Sequence, residues 1–122
     1  MSTEGQLSPA ELDAKVAEAA RVQELQEKIV DALRTCYDPE IPVNIHELGL
    51  IYAVEVAPDG VVAIRMTLTS PACPAAGSLP PEVEAKARAV PGVTSVKVEV
   101  VWDPIWTPER MTEAAKLQLG MF

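Results

Sequence analysis

Cysteine, aromatic side chains and basic charge are all scarce in this chain, and each shortage closes off a class of function. Two cysteines, Cys36 and Cys73, in 122 residues allow at most one disulfide and form no C-x-x-C pair. Neither a disulfide scaffold nor a zinc centre built from close-spaced thiolates is expected. Two Trp, two Tyr and one Phe leave little stacking surface. Ten Lys and Arg against eighteen Asp and Glu give a net charge of −8, whereas a phosphate backbone is gripped through Lys and Arg patches that release counterions. No nucleic-acid partner is therefore expected. The chain has neither G-x-G-x-x-G nor G-x-x-x-x-G-K, which removes the common nucleotide cradles. Its apolar runs fall far short of the roughly 20 residues a helix needs to cross a bilayer. Residues 1–6 lack the basic-then-apolar order of a secretory leader. No membrane partner is expected, and the expected location is cytoplasmic, where thiols stay reduced.

What the chain does contain is a set of clear periodic segments. Ser8-Pro9-Ala10-Glu11 reads as a helix start, with Ser8 as cap and Pro9 at the first helical position. Leu12, Val16, Ala20, Leu25, Ile29, Leu33 and Cys36 then recur at helical spacing, with a slip near residues 20–23. One long helix or two segments fit equally. Residues 1–21 are expected to be a mobile helical extension to a single domain spanning 22–122. Asp38-Pro39-Glu40-Ile41-Pro42 stops the helix and opens a loop carrying Asn44, His46, Glu47 and Gly49, the glycine suited to a positive φ. Residues 51–56 and 61–69 read as a hairpin about Pro58-Asp59-Gly60. Val62, Ile64, Met66 and Leu68 share its packed face, and Arg65, Thr67 and Thr69 the polar one. Ser78 is placed to cap a helix that tolerates Pro80 and Pro81 only in its first turn. Residues 93–102 alternate as a third strand. Asp103-Pro104 ends it, and Thr107-Pro108 is expected to open a last helix along Met111, Ala115 and Leu119. The result is a two-layer α+β domain, a small mixed sheet of about three strands covered by helices in the order α-β-β-α-β-α.

Chemistry concentrates on Thr69-Ser70-Pro71-Ala72-Cys73-Pro74. Two prolines stiffen the chain around this thiol, which falls between a strand and a helix start. Helix-start N–H groups could there favour a thiolate, or Cys73 could be a small packed residue. Cys36 lies on the apolar stripe and reads as packing. Acyl transfer by Cys73 with His46 as base has no orienting motif behind it. Zinc held by Cys73, His46, Asp38 and Glu40 lacks the usual paired spacing. A cluster normally takes four thiolates. Metal held here must therefore be shared between chains, completed by other ligands, or bound in passing.

Three blocks together carry a family resemblance. They are Asp38-Pro39-Glu40-Ile41-Pro42-Val43-Asn44-Ile45-His46-Glu47-Leu48-Gly49-Leu50-Ile51-Tyr52, Leu68-Thr69-Ser70-Pro71-Ala72-Cys73-Pro74, and Trp102-Asp103-Pro104-Ile105-Trp106-Thr107 with Leu119-Gly120. They resemble the metal-sulfur cluster assembly factors related to bacterial SufT, a family that includes the eukaryotic cytosolic iron-sulfur targeting subunit and the PaaD-type proteins. The chain lacks a cysteine cluster near Gly120, which sets it apart from the PaaD type, and Ile105 stands where the family commonly has a second proline. The resemblance implies an iron-sulfur assembly domain, no enzymatic activity, and partners among the assembly machinery and client apoproteins. It implies that Cys73 is the metal-associated thiol, with Asp38 and Thr69 beside it on one rim, handling iron or an iron-sulfur cluster transiently. One good thiol per chain makes a homo-oligomer, simplest as a dimer, the expected state. The alternative is a metal-free adaptor, gripping partners through the loop of Glu40 and Asn44 and through Trp102, Asp103 and Trp106, since exposed tryptophans are common interface anchors.

Overall fold

The computed structural model describes residues 8–38, 41–69 and 77–120. Helix α1 runs unbroken over Pro9–Leu33, 25 residues, with the Glu11 N–H donating to Ser8 Oγ at 3.2 Å. No glycine or proline interrupts α1 after Pro9. The slip in apolar period therefore changes which side faces the core without breaking the backbone ladder. Leu12 and Val16 are accordingly exposed, while Ile29 and Leu33 are fully buried. Past the last turn, Cys36 donates its N–H to the Leu33 carbonyl and accepts from Ile45 N–H through its own, at 3.1 and 2.9 Å.

Strands β1 (Ile51–Val56) and β2 (Val61–Met66) form the antiparallel hairpin. Its turn closes through Gly60 at φ +89°, where a Cβ would lie 2.3 Å from the Gly92 carbonyl oxygen. From β2 the chain crosses through helix α2 (Leu79–Arg88) to β3 (Ser95–Val100), which lies parallel to β2, giving the order β1-β2-β3. Val62, Ile64 and Met66 are buried, and Ala63 and Arg65 are exposed. Strands β2 and β3 stop short of the expected 61–69 and 93–102. Leu68 is still buried past the end of β2, but Thr67, expected on the polar face, is fully buried as well, with its N–H on the Leu50 carbonyl at 2.8 Å.

Helices α1 and α2 cover one face of the sheet around Ile29, Leu33, Ile64, Met66 and Val83. The other face carries Arg65, Lys97 and Glu99 into solvent. The chain ends differently from the sequence expectation. Pro108–Arg110 is a single 3-10 turn, and helix α3 (Glu113–Gln118) starts later, capped by Thr112, whose Oγ1 accepts from Ala115 N–H at 3.2 Å. Thr112 also reaches the loop after α1, donating its N–H to the Glu47 carbonyl at 2.9 Å and its hydroxyl to the Glu47 carboxylate.

Candidate functional site

Three chain segments meet at the end of the domain where β2 finishes. The chain leaving α1 brings Cys36 there, near the Glu82 carboxylate in the first turn of α2. Burial, reinforced by that carboxylate, pushes the Cys36 thiol up to about 11. It therefore stays protonated and unreactive at neutral pH. Two residues on, Asp38 is buried, and its Oδ1 accepts the Ile41 N–H at 3.2 Å. That bond organises the turn that follows α1.

Thr69 is half-buried where the chain leaves β2, and Gly77 is the next described residue before α2. Cys73 lies between them and, like Glu40, falls outside the described residues. Ser78 holds the N-cap position of α2 but makes no side-chain cap bond. Pro80 and Pro81 have no N–H, so among the first three helical positions only Leu79 offers a donor. The helix start thus acts on a nearby anion mainly through its dipole.

The 44–50 loop is folded by its own side chains. Asn44 Oδ1 accepts the Glu47 N–H and the Asn44 carbonyl accepts the Leu48 N–H, both at 3.0 Å. Gly49 takes φ +80°, and a Cβ there would lie 2.3 Å from the Arg110 carbonyl oxygen. His46 Nδ1 is 3.9 Å from Glu47 Oε1. Two buried side-chain atoms have no hydrogen-bond partner among the described residues, His46 Nδ1 and Thr67 Oγ1. No three of the described His, Cys, Asp and Glu side chains converge to hold a metal ion.

The segment after β3 splits by role. Trp102 is 43% and Ile105 67% exposed, and Asp103 is exposed between them. Trp106 is half-buried against the core, and its indole N–H donates to the Leu48 carbonyl at 2.7 Å. Trp102 and Asp103 thus stand on the surface, while Trp106 ties its segment to the 44–50 loop. Sequence reasoning missed a groove of about 480 Å³ between Gly49, Ile51, Tyr52, Arg65, Pro104 and Arg110. In it the Arg110 guanidinium lies 4.8 Å over the Tyr52 ring, and the Tyr52 hydroxyl donates to the Pro104 carbonyl at 2.7 Å. No local signal links these residues, because they come from distant segments.

Residues 26–100 match the iron-sulfur cluster assembly protein family. The Fe-S protein maturation auxiliary factor of Porphyromonas gingivalis is 50% identical over 95 residues, covering 78% of this chain and 90% of that protein. The Fe-S protein maturation auxiliary factor YitW of Bacillus subtilis is 42% identical over 97 residues, covering 80% and 95%. Among solved structures, a domain of unknown function from Bacillus anthracis superposes with a TM-score of 0.79 at 37% identity, covering 85% of this chain and 99% of that one.

Proposed function

The chain belongs to the iron-sulfur cluster assembly protein family, and from that premise we propose that it takes iron or a preformed cluster as cargo and passes it to client apoproteins. Cys73 is the cargo-handling thiol in this reading. The observation that carries it is the state of the other thiol: Cys36 is fully buried, and burial with the nearby Glu82 carboxylate favours its neutral form. That leaves Cys73 as the one thiol for a soft metal, and it falls within the family match. A cluster ordinarily takes four thiolates, so with one available thiol per chain a passing cargo completed by a partner or a second chain suits the chain better than a resident cofactor. The chain is a cytoplasmic carrier and not a catalyst. Asp38 and Thr69 flank the cargo segment, Asp38 by setting the turn at the end of α1.

The test is client activity in cells whose only copy of the protein is wild type, Cys73→Ser or Cys36→Ser. Iron-sulfur enzymes should lose activity with Cys73→Ser and keep it with Cys36→Ser at matched protein levels. Full client activity with Cys73→Ser overturns the carrier reading.

A second reading is favoured by the exposed apolar surface of Trp102 and Ile105 beside Asp103. In it the chain is a metal-free adaptor, and this surface, with the loop of Glu40 and Asn44, grips clients. Retained client capture by Cys73→Ser, lost in Trp102→Ala, would favour the adaptor.

A further inference from the structure

The sheet has two outer edges, and the chain closes only one of them. On β1 the Val54 carbonyl points away from β2 and accepts the Gln26 side-chain amide from α1 at 2.8 Å. On β3 the Val101 N–H donates to the Met66 carbonyl at 2.8 Å, which with the Met66↔Val100 register sets the parity of the ladder. The main-chain groups of Lys97 and Glu99 then face β2, and those of Val96, Val98 and Val100 face outward. Among the described residues nothing hydrogen-bonds to those outward groups.

Unpaired edges of this kind template further strands unless something selects the partner. Here the charges do. We propose that the β3 edge binds a second copy of this chain, with the two β3 strands antiparallel about a two-fold axis at Val98, making one six-stranded sheet. In that register the two Val98 residues exchange two main-chain hydrogen bonds across the axis, and each Lys97 lies directly opposite Glu99 of the second copy in a non-hydrogen-bonded pair, where side chains come closest. Moving the register by one repeat either way sets Lys97 against Lys97 or Glu99 against Glu99, which repel. A one-residue slip turns the packed face to solvent.

On the packed face the same register brings Val98 onto Val98 and Val96 onto Val100, covering Val98 and Val100, which are only half-buried. Lys97 has no ion pair among the described residues, whereas Glu99 is 3.5 Å from Arg65 on β2. A basic side chain thus stands free at this edge of a chain that carries −8. The isologous contact is closed, because the remaining outer edge of each copy is the one that Gln26 caps.

The test is sedimentation equilibrium on the full chain carrying Cys73→Ser and freed of metal, so that cluster-bridged pairs do not contribute. The chain should form a dimer from the low to the high micromolar range. Lys97→Glu and Glu99→Lys should each raise the dimer Kd by about tenfold or more, since two symmetric pairs turn repulsive. These variants move net charge in opposite directions, so a shared loss is not a global charge effect. The double swap Lys97→Glu with Glu99→Lys should recover most of the affinity. A dimer that the swaps leave unchanged, or that the double swap fails to recover, overturns the proposal. So does a chain that stays monomeric throughout, which would leave this edge to a strand of another protein.

Discussion

Cys36 shows how a single side chain can be legible in kind and not in surroundings. Helical spacing put it on the packed stripe of α1, and it is fully buried. Its contact with Glu82 joins residues far apart in sequence, so no local pattern could announce it. The contact has a measurable consequence. The folded chain favours the neutral thiol and raises its value from an ordinary 9.0 to about 11. A raised value contributes stability that is fully present below the unfolded value and is lost as pH climbs through the folded one. The urea midpoint of the wild type should therefore drop more steeply than that of Cys36→Ala as pH rises from ~9 to ~11. Parallel pH profiles would show that burial and Glu82 do not act on this thiol. Gly49 follows the same pattern. Its positive φ was readable from the Leu-Gly-Leu turn, but not the Arg110 carbonyl that leaves no room for a Cβ.

At the scale of elements, the order of helices and strands was legible because each is strongly periodic and bounded by proline or glycine. The boundaries were less so, and α3 explains why. Thr107-Pro108 and Thr112-Glu113 are both plausible helix starts in isolation. Tertiary contact chooses between them, because Glu47 takes both the N–H and the hydroxyl of Thr112. The side chain of Thr107 makes no cap bond at its own turn. Thr112→Val should therefore cost about 1–2 kcal/mol in urea denaturation, through loss of a cap and of a bond to a carboxylate. Thr107→Val should cost clearly less. Equal costs would place the functional helix start at Thr107 and contradict the assignment. The same argument covers the short β2. Its apolar alternation continues to Leu68, but the Thr67 N–H pairs with Leu50, outside the regular strands.

At the scale of the molecule, Cys36 past the end of α1 lies near Glu82 in the first turn of α2, and the segment that carries Cys73 connects Thr69 to Gly77 in the chain ahead of that helix. The sequence singled out that segment from its prolines and its place between strand and helix, and the three-block resemblance gave it a chemistry. The residues that stabilise its surroundings, Trp106 on Leu48, Tyr52 on Pro104 and Thr112 on Glu47, emerge only when distant segments are folded together. The central claim is that Cys73 handles iron or a cluster. It is tested most directly by iron and sulfide quantification after anaerobic reconstitution, on wild type beside Cys73→Ser with Cys36→Ser as control. The account predicts bound iron and sulfide for wild type and Cys36→Ser and a loss of both for Cys73→Ser. Equal iron and sulfide in wild type and Cys73→Ser would contradict it.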